Sequence, residues 1–260
     1  MLFFDLRGRR KYKLLSVGLL SAFFLALLLS PVWLSSNHWL SVTAGSIKKI
    51  PIYSVEKTES VIAISFDASW GAEHTEELLN ILDEYNVKTT FFLVNIWLED
   101  YADMAKKIVA RGHEIGLHSV THPHFSHLSE AQMKEELLGN YQMILDTTGF
   151  EAKLFRAPFG EYNNTLLEVA ESLGFVTIQW NVDSLDWKDL SAADIQERVL
   201  KRIKPGDIVL FHNNGAHTAA ALPGILEHLQ AEGYSIVPIS ELLLQGNTYV
   251  DYNGVQKQLK

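Results

Sequence analysis

A distorted barrel of alternating β-strands and α-helices is the fold class this sequence predicts. From Val61 onward, short β-rich apolar runs alternate with stretches of helical periodicity. About seven such steps fit into roughly 190 residues, the spacing of parallel strands joined by crossover helices. Asp, His and Arg recur just after the predicted strands, at the end where parallel β/α folds gather reactive groups. An open doubly wound sheet is the second choice, because alternation alone does not separate the two.

The elements follow in order. Residues 50–55 predict a short edge strand, with Pro51 arguing against a central position. Residues 61–66, Val-Ile-Ala-Ile-Ser-Phe, predict the first strand of the barrel. Leu78, Leu79 and Leu82 give residues 75–85 a helical stripe. Residues 88–94 read as a strand, 101–110 as a helix stopped before Gly112, and 113–117 as a short strand. A helix over 129–146 has Ser129 as N-cap and Gln132 at the capping-box position. Residues 153–155 and 174–180 predict strands around a helix at 164–173. Ser191 caps a helix over 191–203, residues 207–211 form a buried strand, 219–231 a helix and 234–238 a last strand. Residues 245–260 read as a polar tail. No fixed-period repeat is present, and no glycine-rich phosphate loop follows the first strand.

The chain of 260 residues is 47% hydrophobic and 20% charged, which excludes a wholly disordered protein. The absence of cysteine excludes disulfides, thiolate metal sites and cysteine nucleophiles. A net charge of −9 argues against nucleic acid as a partner. That charge is uneven. Residues 1–13 carry Arg7, Arg9, Arg10, Lys11 and Lys13 against Asp5, a net of +4 that leaves −13 for the rest. Residues 14–34 are 21 uncharged positions. As a helix rising about 1.5 Å per residue they would span the roughly 30 Å hydrocarbon core. Trp33 and Trp39 fall at interface level. The basic block predicts a cytoplasmic N-terminus, a single transmembrane anchor and an extracytoplasmic domain at the cell membrane. The alternative is a cleaved signal peptide, with Val42-Thr43-Ala44 as the best cleavage site. Residues 35–60 are then a linker with its edge strand, and 61–244 the folded domain.

Asp67 follows the first barrel strand, His118 and His122 the third, Arg156 the fourth, Asp183 and Asp186 the fifth, and His212 the strand at 207–211. Each alone has an ordinary explanation: a helix cap for Asp67, Asp183 or Asp186, a core histidine for His212, a surface ion pair for Arg156. Together they aim Arg, Asp and His at one cleft. His118 and His122, four apart, would share a face on a helical turn and hold one divalent metal. Two imidazoles alone are an incomplete site, since catalytic zinc usually takes three protein ligands. Trp70, Trp97, Phe159 and Trp180 suit either sugar stacking or core packing.

Five ordered motifs stand in the chain: Ser65-Phe66-Asp67, His118-Ser119-Val120-Thr121-His122, Arg156-Ala157-Pro158-Phe159-Gly160, Asp183-Ser184-Leu185-Asp186-Trp187 and Leu210-Phe211-His212. With these motifs the chain resembles the polysaccharide deacetylases, the NodB-homology domain of carbohydrate esterase family 4, over residues 61–243. The membrane span and the variant first motif are most similar to the membrane-anchored, sporulation-associated branch. The resemblance implies a distorted barrel of about seven strands. It also implies metal-assisted hydrolysis of N-acetyl groups on GlcNAc- or MurNAc-type residues of cell-wall polysaccharide. In that scheme Asp67 is the general base, Arg156 positions it, and His118 and His122 bind the metal. Asp186 orients His212, the general acid, while Trp187 and Leu210 line the acetyl pocket and Phe159 contacts substrate. Zinc suits the imidazoles, with cobalt, nickel or manganese as alternatives.

One position departs from the family pattern. Two adjacent aspartates usually end the first motif, and the second is a metal ligand; here that residue is Ala68. The departure implies weaker metal binding, with Glu73 and His74 the nearest replacements in sequence. It also keeps open a catalytically silent glycan-binding or scaffold protein of the envelope. An O-acetyl esterase is a third option, because the same site would attack an ester.

Overall fold

The structure, a computed structural model, describes residues 48–259. The predicted span at 14–34 and the linker up to residue 47 lie outside the described residues. Among the described residues no helix is long and apolar enough to cross a membrane.

The chain opens with β1 (Ser54–Val55) and then the long strand β2 (Val61–Ala68). It continues through α1 (Thr75–Glu84), β3 (Thr90–Leu93), α2 (Asn95–Asp100), α3 (Ala102–Ala110), β4 (Glu114–Leu117) and α4 (Glu130–Thr148). Next come β5 (Leu154–Phe155), α5 (Asn164–Ser172), β6 (Val176–Thr177), β7 (Val182–Asp183) and α6 (Ala192–Leu200). The chain ends with β8 (Ile208–His212), α7 (Thr218–Ala231), β9 (Ser235–Ile236), α8 (Ile239–Leu242), β10 (Thr248–Val250) and β11 (Val255–Gln258).

The main sheet is parallel throughout, in the order β6-β5-β4-β3-β2-β8-β7, with β9 paired to the start of β2. Its two outer strands, β6 and β7, are joined by residues 178–181 alone. A flat seven-strand sheet would separate them by roughly 29 Å, at about 4.8 Å per strand. The chain from Thr177 to Val182 reaches only about 17 Å at about 3.3 Å per residue. The sheet therefore curls back toward itself, as the distorted barrel requires and a flat doubly wound sheet does not.

β2 is buried from Ile62 to Ala68 and shows why both faces are apolar. Side chains alternate along a strand. Ala63 packs inside with Phe92, Leu154, Ile178 and Ile208. Ile62, Ile64, Phe66 and Ala68 join the layer shared with Leu78, Leu82 and Leu222 of the helices. Ser65 and Asp67 share the parity of Ala63, so the interior face turns polar toward the C-terminal end of β2.

The predicted caps are present. Ser129 and Gln132 form the capping box of α4, which ends at Gly149 with φ 72°. The Ser191 side chain caps α6. Residues 95–100, for which the sequence predicts no element, form the short helix α2, with Trp97 buried in the core. Two expectations need correction. The strand expected at 174–180 is paired only at 176–177 before the chain crosses to β7. Residues 245–260, read as a polar tail, instead contribute β10 and β11, an antiparallel pair that adds to β1 in a small second sheet. Its buried face is polar, which hid it: Gln256, 6% exposed, bonds Leu244 N–H, Leu244 C=O and the Thr248 hydroxyl.

Candidate active site

Asp67 and His212 are partners in register on the adjacent strands β2 and β8. Both line a cleft of about 710 Å³ at the C-terminal ends of the strands. His118, His122, Phe159, Asp183, Asp186, Trp187 and Leu210 line the same cleft. Arg156 lies beneath it, fully buried. Every site residue expected from the sequence thus converges on one place.

Two ion pairs organise the floor. Arg156 Nη1 donates to Asp67 Oδ1 at 2.7 Å, and Nη2 donates to the Ser65 hydroxyl at 2.9 Å and to Gln179 C=O at 3.2 Å. The guanidinium also lies over the Phe92 ring, 4.1 Å from its centroid. Burial pushes the Asp67 carboxyl up. Arg156, with His118 and His212, outweighs burial and holds it below the usual carboxylate range. On the other side, Asp186 Oδ1 accepts from His212 Nδ1 at 2.8 Å. Asp186 Oδ2 accepts from His212 N–H at 2.8 Å and from the Thr218 hydroxyl at 2.7 Å. Burial pushes His212 down, but the hydrogen bond and charge of Asp186, with Asp67 and Asp183, hold it above its ordinary value. A carboxylate biased toward its ionised form and an imidazole biased toward its protonated form therefore face the same space.

The two remaining histidines occupy a loop. Their spacing suggested a helical turn; instead Ser119 (φ 81°) and His122 (φ 56°) are left-handed, and the loop folds the rings to 5.1 Å between centroids. His118 Nδ1 sits 2.8 Å from Arg156 C=O. A carbonyl only accepts, so Nδ1 carries the proton and the bare Nε2 is left facing Asp67 Oδ2 at 3.6 Å. Burial lowers His118 and, with His118 beside it, lowers His122 to about 4. Neutral imidazoles are the ligand form. Two acceptors facing each other across 3.6 Å also suit a cation between them.

The donor set stops short of a standard catalytic zinc site. Among the described residues no group of three or more His, Cys, Asp or Glu side chains is arranged to hold a metal. Ala68 presents a buried methyl group to the apolar layer. Neither Glu73 nor His74 replaces it: Glu73 is exposed, His74 Nδ1 is 4.0 Å from Glu77, and neither lines the cleft.

The aromatic candidates divide. Trp70, Phe159 and Trp187 are 58%, 54% and 56% exposed at the cleft rim, and Trp180 lines its wall. Trp97 is core, with its indole N–H bonded to Gly71 C=O at 2.7 Å. Sequence reasoning missed Ser65, Asn140 and Thr218, which hold the reactive groups. Asn140 carried a signal: it is a polar residue on the buried stripe Met133, Leu137, Asn140, Ile144 of α4.

The polysaccharide deacetylase family profile matches residues 54–178. A peptidoglycan-N-acetylglucosamine deacetylase of Bacillus cereus is 33% identical over 196 residues, covering 74% of this chain and 92% of that protein. The chain belongs to the polysaccharide deacetylase family. The uncharacterized protein YlxY of Bacillus subtilis is 33% identical over 203 residues. That match takes in 78% of this chain but 63% of YlxY, so the deacetylase domain spans under two thirds of that relative. Among solved structures, a CE4 family pseudoenzyme from Bacillus anthracis superposes with a TM-score of 0.72 at 33% identity, covering 74% of this chain and 68% of that one. A mutant of that pseudoenzyme with restored enzymatic activity matches equally, with a TM-score of 0.72 at 34% identity over 74% and 70% of the two chains.

Proposed function

We propose that this chain is a polysaccharide N-deacetylase, removing acetyl groups from GlcNAc- or MurNAc-type residues of cell-wall glycan such as peptidoglycan. The observation that carries this reading is the register of Asp67 with His212, each locked to its own buried partner. In the reaction, water adds to the acetyl carbonyl carbon while Asp67 takes its proton. Arg156 keeps that carboxylate ionised and fixed through Oδ1, leaving Oδ2 toward the cleft. The C–N bond then breaks as protonated His212, braced by Asp186, gives its Nε2 proton to the leaving nitrogen. The products are acetate and a free amine. A divalent ion held by His118 and His122 would polarise the amide and acidify the water. Leu210 and Trp187 form an apolar wall for the acetyl methyl, and Phe159 is placed to stack on a sugar ring. The basic N-terminus and the span at 14–34 fit a domain exported and tethered at the cell membrane, within reach of the wall.

Acetate release from peptidoglycan or chitin-type oligosaccharides tests this reading, with loss expected in Asp67→Asn and His212→Ala. No release with any such substrate at any added divalent metal would count against it.

Ala68 favours a second reading, a catalytically impaired glycan-binding protein of the same fold, and so does the likeness to a pseudoenzyme. Activity gained by Ala68→Asp from an inactive parent would support it.

A further inference from the structure

The loop that carries both imidazoles has no regular secondary structure, yet each backbone N–H from His118 to His122 is bonded. Four of the five reach two side chains of α4, and that of His118 is shared with Leu93 C=O at 3.2 Å. Asn140 Oδ1 accepts from the N–H of His118 at 2.8 Å and of Ser119 at 3.1 Å. Glu136 Oε2 accepts from Val120 at 2.8 Å and Thr121 at 2.9 Å, and its Oε1 accepts from the Thr121 hydroxyl at 2.7 Å. The fifth N–H, of His122, is taken by the Ser119 hydroxyl at 2.9 Å. Asn140 is itself fixed, donating to Leu93 C=O at 3.0 Å and to Asn95 Oδ1 at 2.7 Å.

Glu136 and Asn140 are one helical turn apart and share a face of α4. Gly139 lets the loop approach that face, since a Cβ there would lie 2.9 Å from Val120 Cγ2. Left-handed backbone at the non-glycine residues Ser119 and His122 persists only where the surroundings over-determine it. The side chains of α4 supply that determination through their hydrogen bonds to the loop.

We propose that Glu136 and Asn140 are positioning residues, a clamp on α4 that sets the histidine loop in its ligand-presenting shape before any metal arrives. The consequence for catalysis rests on the deacetylase reading; the hold on the loop does not. The alternative is that a metal shapes the loop and the clamp is incidental packing.

The test uses the full chain stripped of metal with a chelator, comparing wild type with Glu136→Ala, Glu136→Gln and Asn140→Ala. Amide hydrogen exchange read by NMR should accelerate about tenfold or more at residues 120 and 121 in Glu136→Ala, and at 119 in Asn140→Ala, while 118 keeps part of its protection through Leu93 C=O. Amides of β2 and β8 should keep wild-type rates. The His122 ring lies 4.6 Å from Phe159 and 5.0 Å from Trp70 between centroids, so its ring-proton shifts should move in both alanine variants. Glu136→Gln, which keeps an acceptor oxygen, should recover part of the protection. Unchanged exchange at 118–122 in half-buried Glu136→Ala would overturn the proposal, and so would acceleration spread evenly over α4 and the barrel. Where the wild type releases acetate, both alanine variants should lower kcat at nearly constant KM. A wild type that releases none counts against the deacetylase reading and leaves the exchange result standing.

Discussion

On the His212 side of the cleft, both oxygens of Asp186 are taken up: Oδ1 by the imidazole, Oδ2 by the His212 N–H and the Thr218 hydroxyl. On the His118 side, two neutral imidazoles converge, while Ala68, at the position where the family pattern has a second aspartate, turns its methyl group into the apolar layer. The backbone of the two sides is equally well built, since the histidine loop has every N–H bonded. What differs is one side chain. On the deacetylase reading, the proton-handling groups are complete and the metal-facing groups are one ligand short, so the two sides should respond differently to mutation.

The largest effect is expected where the buried charge is greatest. Arg156→Met would strand the Asp67 carboxylate in the barrel with its main counter-charge gone. Breaking a buried pair from one side costs about 3–5 kcal/mol. Urea denaturation should show a loss of that order, and adding Asp67→Asn to the same protein should return part of it. A single-variant loss under about 1 kcal/mol would mean that water or another cation screens Asp67, contradicting its burial.

Next comes the acid. His212→Ala should lower acetate release about 10²–10⁴-fold, the usual worth of a positioned acid or base. With His212 held above its ordinary value of 6.5, its proton is retained to higher pH than that of an ordinary imidazole. Asp67, held low, stays ionised to lower pH than an ordinary carboxylate. The rate should therefore fall as pH rises through the His212 pKa, and Asp186→Asn should move that fall to lower pH. Stability follows the same sign: a histidine with a raised folded pKa stabilises the fold below its unfolded value and loses that contribution as pH rises through the folded one. An alkaline limb that stays in place in Asp186→Asn would remove Asp186 from the role assigned to it.

Ala68→Asp probes the incomplete side. A buried carboxylate with no cation should destabilise the metal-free protein. Added Zn²⁺ should raise its melting temperature more than it raises that of the wild type, because a ligand bound only by the folded state stabilises it. Calorimetric titration should give affinity at least about tenfold tighter, a gain of roughly 1.4 kcal/mol. Equal zinc affinity in the two proteins would show that the wild type already completes its ligand set.

These outcomes also bear on what the sequence could reveal. The succession of strands and helices and the position of the site were legible because the apolar stretch Val61 to Phe66, broken only by Ser65, leads into Asp67, and because the reactive residues fall at or just past the C-terminal ends of strands. The capping box of α4 was legible because Ser129 and Gln132 act over three residues. The hairpin at β10 and β11 was not, because its one buried side chain is the amide of Gln256 and Val250 is its one apolar contact with the core, although Asn253-Gly254 marked its turn. Nor was the shape of the histidine loop legible. Its determinants, Glu136 and Asn140, lie more than a dozen positions along the chain, and nothing local to residues 118–122 announces left-handed backbone. The support of His212 by Thr218 is likewise long-range.

Thr218→Val tests that last support and is the smallest effect proposed. Valine keeps the shape and removes one hydroxyl donor to Asp186 Oδ2, so a buried carboxylate loses one hydrogen bond of three. The expected cost is about 1.5 kcal/mol, the low end of the range for a hydrogen bond to a charged group. The direction at His212 is opposite to that of Asp186→Asn. A carboxylate relieved of one donor attracts the imidazolium more strongly, so the His212 pKa should rise further and the alkaline limb should move up. NMR titration of the His212 ring proton measures this directly. Lower overall stability with a higher His212 pKa would mark Thr218 as tuning the dyad through Asp186. A lower pKa would mean that the hydroxyl acts by ordering the turn after β8, and the completeness assigned to this side of the cleft would then belong to the backbone rather than to the charge.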